Sequence, residues 1–305
     1  LTPIYTVHGS PLLALRVSSP CAHAHSCGRH GREGRSAAAL ERGADQSAIR
    51  RIPWRLRRME GKVNYKLPVN ARKFALFQRN LLLPDGAPHF SDDGFGKFIE
   101  EYAAAEPELI ETKYFSLMKE TAEDLLEHML PSTSSILDIG SGIAGIDLFF
   151  YHALNTPKLY LLDKTRLEDK VWYMFEEKPA FYSSHEIAKD VLTLNGVKAA
   201  DISTIDARDD GVIPIAPKSI DAVVSTVSWG FMYPVKPYLA SVVALLRDDG
   251  IVITDIRKGT DGEAQLAEFF DTEVIREQRK FKTLKCRLRT QYSAWPTRGR
   301  QGRHA

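Results

Sequence analysis

Short apolar runs alternating with helical patterns constrain this chain more than any other feature of its sequence. Five such runs occupy 135–140, 158–163, 201–206, 219–226 and 251–255. Between them lie helical stretches at 143–154, at 184–194 (stopped by Asn195-Gly196) and at 236–246 (closed by Asp248-Asp249-Gly250). Apolar strands joined through helices can share a sheet only as parallel neighbours buried on both faces. Right-handed crossovers then make the sheet doubly wound. After a helix at 263–270, the strand-like runs 272–281 and 283–290 stand too close for another crossover helix. They are expected to pair as an antiparallel hairpin at the sheet's edge. The spacing therefore predicts an α/β fold with a doubly wound seven-stranded sheet, mostly parallel, with a C-terminal antiparallel hairpin. Upstream, Phe98, Ile99, Tyr102, Tyr114, Phe115, Leu117, Met118, Leu125, Leu126, Met129 and Leu130 recur at three- and four-residue spacing and predict an N-terminal helical cap.

Charge divides the chain. Residues 1–58 hold ten Arg and three acids, and 276–305 hold ten basic residues and one acid, so a total of +2 leaves 59–275 strongly acidic. An acidic body argues against a nucleic-acid-binding core. Residues 1–58 show no sustained helix or strand period and are expected to be poorly ordered, an extension outside the working protein that begins near Met59. The expected organisation is 1–58 as this extension, 59–131 as the helical cap, 132–290 as the Rossmann-like domain and 291–305 as a tail. Three scattered cysteines (Cys21, Cys27, Cys286) do not make a disulfide framework and point to a reducing, cytoplasmic setting. No run approaches the roughly 18–20 apolar residues that span a bilayer. The segment from Cys21 to His30 carries soft and imidazole groups, with nothing near it in sequence to hold them rigidly on a zinc ion, so no metal is expected there.

The sharpest motif is Asp138-Ile-Gly140-Ser141-Gly142-Ile-Ala-Gly145, between the first strand and its helix. Glycines there allow a tight turn and a close approach to main-chain N–H groups. Gly140-x-Gly142-x-x-Gly145 fits a dinucleotide fingerprint, and Asp163 sits where an acid would meet ribose hydroxyls. Three features favour a cationic cofactor over a nicotinamide. Asp138 is expected to place a carboxylate at the mouth of the loop, repelling pyrophosphate and attracting an ammonium or sulfonium. The third strand ends in Asp206-Ala207, able to accept a hydrogen bond from an adenine amino group, and the sheet closes with an antiparallel hairpin.

Over 134–290 these residues resemble the class I S-adenosylmethionine-dependent methyltransferases. The resemblance implies S-adenosyl-L-methionine as cofactor. Asp138, Gly140, Ser141 and Gly142 would surround its methionine part, Asp163 would hold the ribose hydroxyls, Asp206 and Ala207 would sit by the adenine, and Ser225 would begin a further cofactor-contacting segment. The run Ser228-Trp-Gly-Phe-Met-Tyr-Pro234 also resembles bacterial sugar O-methyltransferases, with Met232 where that pattern has histidine.

Methyl transfer is an in-line displacement that needs aligned partners and excluded water, and a hydroxyl acceptor of high pKa also needs a base. His185, at the start of the second crossover helix, is the candidate base; His152, inside an apolar helix, reads as packing. Trp229 and Tyr233 are candidate walls of an acceptor pocket for a small molecule or saccharide, beside Phe231, and Tyr114 in the cap is a candidate to close over the cofactor. Residues 164–182, with Trp172, Tyr173 and Phe175, are expected to form part of the acceptor site. Asp206, Asp209 and Asp210 are read as an adenine contact plus a solvated turn, so no metal is expected. Three alternatives stay open: an NAD(P)-dependent oxidoreductase, an RNA or protein methyltransferase suggested by the basic 276–289 stretch, and a non-catalytic cofactor-binding module. The sequence sets neither the acceptor nor the oligomeric state.

Overall fold

The computed structural model describes residues 65–89, 92–165 and 184–293. The expected extension 1–58, most of the 164–182 stretch and nearly all of the 291–305 tail lie outside them. Seven strands form one sheet: β1 (Ser135–Ile139), β2 (Lys158–Asp163), β3 (Ile202–Asp206), β4 (Ile220–Ser225), β5 (Leu246–Arg257), β6 (Phe270–Glu277) and β7 (Phe281–Leu288), in the order β3-β2-β1-β4-β5-β7-β6. The first five are parallel, and β7 runs antiparallel to both β5 and β6. The last strand thus inserts between β5 and β6, leaving β6 at the edge. This is the expected doubly wound, mostly parallel architecture with its antiparallel hairpin.

Helices cover both faces. On one side lie α1 (Ala71–Gln78), α2 (Phe95–Ala105), α3 (Pro107–Leu126), α4 (Gly145–Ala153) and α5 (His185–Leu194), packed around Ile110, Phe149, Val191 and the strand residues Ile136, Val224 and Ile253. On the other, α6 (Lys236–Leu245) and α7 (Gly262–Ala267) pack through Leu239, Val242 and Leu266 on Leu137, Val223 and Val252. Strand residues therefore alternate between two cores, as the period of two requires.

The helical pattern before the sheet is broken into two helices. Pro107 has no N–H to continue α2, and the residue before a proline is pushed out of the helical region, so Glu106 turns with φ −124° and Pro107 opens α3. α3 lies against α4 through Tyr114, Phe115 and Met118, with Ile110 and Leu125 extending the same buried face. Ser184 caps α5, its hydroxyl accepting from Ile187 N at 3.4 Å. A short α8 (Thr290–Ser293) follows β7. No helix among the described residues is long and apolar enough to cross a membrane.

Candidate functional site

The glycine loop leaves β1 at the carboxyl edge of the sheet, where the strand order reverses and open α/β sheets form ligand crevices. Gly140 and Gly142 adopt left-handed φ values of +80° and +59°. Side chains from three elements close on the loop. A Cβ at Gly140 would strike Ser228, one at Gly142 would meet Gln78 Oε1 at 2.5 Å, and one at Gly145 would strike the Tyr114 hydroxyl. The third glycine thus serves close packing of α3 on the start of α4.

The N–H groups of two loop glycines are already used. Gly140 N donates to Leu162 O at 2.7 Å and Gly142 N to Asp163 Oδ2 at 2.7 Å. The other oxygen of Asp163 accepts from Lys164 N at 2.7 Å. Asp163 is paired across the sheet with Asp206, and Ala207 N donates to Asp163 O at 2.9 Å. The expected ribose and adenine residues therefore stand together at the tips of β2 and β3. Ser141 is 8% exposed and its hydroxyl lacks a protein partner, a polar group left for a ligand or water.

Asp138 does not stand at the mouth of the loop. It shares the face of β1 occupied by Ile136, which α4 and the cap cover, and it is 2% exposed. There it faces Asp147 in the first turn of α4, itself fully buried. Burial, together with Asp147 and Asp163, pushes Asp138 well above the usual carboxylate range. Burial also raises Asp147, while its contact with Asp138 pulls the other way. Asp138 Oδ1 and both oxygens of Asp147 receive no donor from the rest of the described structure.

Three further expectations are corrected, and His185 is placed. Ser225 is 1% exposed and has no hydroxyl to offer a cofactor: its Oγ donates to Ile139 O at 2.6 Å and accepts from Trp229 N at 2.8 Å, tying β4 to the turn after it. Trp229 is no pocket wall; it is completely buried in the second core, its indole N–H donating to Val235 O at 2.9 Å. Tyr114, 1% exposed, faces packed interior at Gly145, and burial raises its phenol far above its ordinary value. His185 Nε2 lies 3.1 Å from Asp206 Oδ1, so the ring stands at the β3 edge, two strands from the gap between β1 and β4.

Tyr233 remains half-buried, with its carbonyl accepting from Gly230 N at 2.7 Å. Phe231 is covered by Arg257, whose guanidinium lies 4.3 Å from the ring centre. His152 packs, with Nε2 3.0 Å from Asn195 O. The acids after β3 diverge: Asp209 pairs with Lys164 at 2.6 Å and Asp210 with Arg208 at 2.6 Å, the latter holding Asp210 down to about 2.

Residues that the sequence reading passed over complete the site. Asp255, at 1% exposure near the end of β5, accepts from Val227 N at 3.0 Å and from Thr283 Oγ1 at 2.6 Å. Val227 is held there at φ +57°, a rare conformation for a β-branched residue. Arg79, just after α1, donates to Thr226 Oγ1 at 3.4 Å, while Gln78 lies on Gly142. An acid inside the apolar run Ile146-Asp-Leu-Phe-Phe150 was a readable signal for Asp147. Nothing local marks Gln78 or Arg79, because only the packing of the cap brings them to the loop.

No protein-family model matches the chain, and no curated protein matches it. Solved structures similar to it include a precorrin-6y C5,15-methyltransferase from Geobacter metallireducens, at 12% identity and a TM-score of 0.38, over 57% of this chain and 87% of that one. A SAM-dependent methyltransferase from Aquifex aeolicus is 12% identical with a TM-score of 0.40, over 56% of this chain and 97% of that one. A Pyrococcus horikoshii protein is 13% identical with a TM-score of 0.43, over 58% of this chain and 92% of that one.

Proposed function

We propose that this chain is a methyltransferase that takes its methyl group from S-adenosyl-L-methionine and delivers it to an oxygen of a small-molecule or saccharide acceptor. The observation that carries the reading is the contact of Asp163 Oδ2 with Gly142 N. An N–H that a pyrophosphate would need is bound by a carboxylate, and that carboxylate can instead accept from a pair of ribose hydroxyls. Asp206 beside Asp163 adds a second acid at the strand tips, which suits a ligand whose adenosine carries a cation over one carrying two phosphates. The residues fit such a group: Asp163 for the ribose, Asp206 and Ala207 for the adenine, and the unpartnered Ser141 hydroxyl, with Gly140 and Gly142, beside the loop.

When bound, S-adenosylmethionine supplies an electrophilic methyl on a sulfonium. The chain's part is orientation and exclusion of water. Asp138 acts from beneath, with Asp147, by fixing the loop against α4. Gln78 and Ser228 cover the loop from the cap and from the β4 turn. His185 orients Asp206 at the adenine end, and Tyr233 is the half-buried aromatic placed to meet an acceptor. In this reading 59–131 is the cap, 132–290 the methyltransferase domain, 1–58 an extension and 291–305 a tail, in a cytoplasmic setting suggested by the scattered cysteines. The basic edge is partly neutralised, which favours a small acceptor over RNA: Arg276 is shared between Asp124 at 3.5 Å and Asp255 at 3.6 Å, Lys282 pairs with Glu263 at 2.9 Å, and Arg289 pairs with Asp271 at 3.2 Å.

Calorimetric titration with S-adenosylhomocysteine and with NADH tests the cofactor, followed by transfer of radiolabelled methyl to a panel of hydroxyl compounds. Micromolar binding of the first and none of the second is expected. Binding of NADH alone would overturn the reading, and label arriving only on RNA or protein would overturn the acceptor.

A further inference from the structure

We infer that Arg79 is the residue that grips the carboxylate of the methionine part of the cofactor, an inference that rests on the methyltransferase reading above. Arg79 follows α1 directly, with φ −135° and ψ 89°, so the chain leaves the helix there and carries the side chain toward the sheet edge. Its guanidinium reaches Thr226 Oγ1, the first residue past β4. Its positive charge bears on Asp138 at the tip of β1, on Tyr114 in α3 and on Asp255 near the end of β5. The residue before it, Gln78, lies on Gly142. The Thr226 contact just past β4 and the place of Gln78 on Gly142 put the guanidinium near the gap between β1 and β4, beside the glycine loop.

An amino-acid zwitterion placed there brings a carboxylate into the negative field of Asp163 and Asp255. Its α-ammonium needs no special provision in that field. Its carboxylate does, since each of these acids repels it. The other cations nearby have partners: Arg276 lies between Asp124 and Asp255, Lys164 pairs with Asp209, and Arg257 lies on Phe231. Among the described residues the Arg79 side chain makes one long hydrogen bond, 3.4 Å, and no ion pair within 4.0 Å. A guanidinium has five N–H donors in a planar fork that matches a carboxylate bidentately, so most of its donors remain for a ligand.

The test is calorimetric titration of the full chain with S-adenosylhomocysteine and with its decarboxylated counterpart, S-adenosyl-3-thiopropylamine, which keeps the ammonium and loses the carboxylate. Wild type is expected to prefer the carboxylate-bearing ligand by about 10- to 100-fold, the range of a charge-assisted pair. Arg79→Met is expected to weaken S-adenosylhomocysteine by that same factor and to change the decarboxylated ligand less than about threefold, removing the preference; Arg79→Lys restores part of it. Equal affinities in wild type, or equal losses for both ligands in Arg79→Met, overturn the inference. The wild-type comparison stands whether or not the variant folds. Failure of wild type to bind either ligand overturns instead the methyltransferase reading beneath it.

Discussion

The carboxyl groups of Asp138 and Asp147 face each other between β1 and α4, one 2% exposed and the other not exposed at all. Two carboxylates cannot both stay ionised at such a place without a cation between them. The pair therefore couples the stability of the glycine loop to pH. Both groups are raised above their unfolded values, so the folded state binds more protons than the unfolded state. Stability is then full below the ordinary carboxylate range, about pH 4, and falls as pH rises through the raised values. Asp147→Asn removes one titrating group while keeping a donor for Asp138. At pH 8 it is expected to stabilise the fold by about 1–2 kcal/mol, with a much smaller gain at pH 5.5. Thermal melts of both proteins across this range check it, and a gain independent of pH would refute the coupling.

Gly140 carries two separate constraints, a φ of +80° and the side chain of Ser228 where a Cβ would stand. Gly140→Ala is expected to cost about 2–3 kcal/mol. Adding Ser228→Gly relieves the collision only, so the double variant should recover part of the loss and keep about 1 kcal/mol from the backbone. Denaturant unfolding of the three variants separates the two costs. Full recovery in the double variant would mean the backbone angle carries none of it.

The pairing of His185 with Asp206 bears on catalysis. Under the proposed function, His185→Ala should weaken S-adenosylhomocysteine by about 3- to 10-fold, as expected for loss of one orienting hydrogen bond. The turnover rate should stay within about twofold, with the shape of its pH profile unchanged. A base would behave otherwise, with a fall of about 100-fold or more and the loss of a limb from that profile. Steady-state kinetics over pH decide between the two.

Trp229 belongs to the core under β4 and β5. Trp229→Ala is expected to cost about 3–5 kcal/mol, the range for removing a large buried aromatic, and Trp229→Phe distinctly less, although the indole N–H bond to Val235 O is lost. Equilibrium denaturation measures both. If Trp229→Ala left stability intact and changed only the affinity for an acceptor, the side chain would be a pocket wall after all.

Much of the fold was legible because it rests on local rules. Alternation of apolar runs with helices specified a parallel sheet, and the short spacing between 272–281 and 283–290 specified an antiparallel end. The glycine loop and the acid at the tip of β2 were equally readable, because the loop sits at a strand-to-helix turn and Asp163 closes a strand. Even the burial of Asp138 was present in the period of two, which puts it on the face of Ile136. What the sequence alone did not settle was which face the cap would cover, and so whether that carboxylate met solvent or Asp147. Only tertiary packing decided this, along with the arrival of Gln78, Arg79 and Tyr114 at the loop and the burial of Trp229 beneath the β4 turn. Such contacts join residues tens of positions apart, and each depends on how whole helices settle on the sheet; no local period or turn signal encodes that choice.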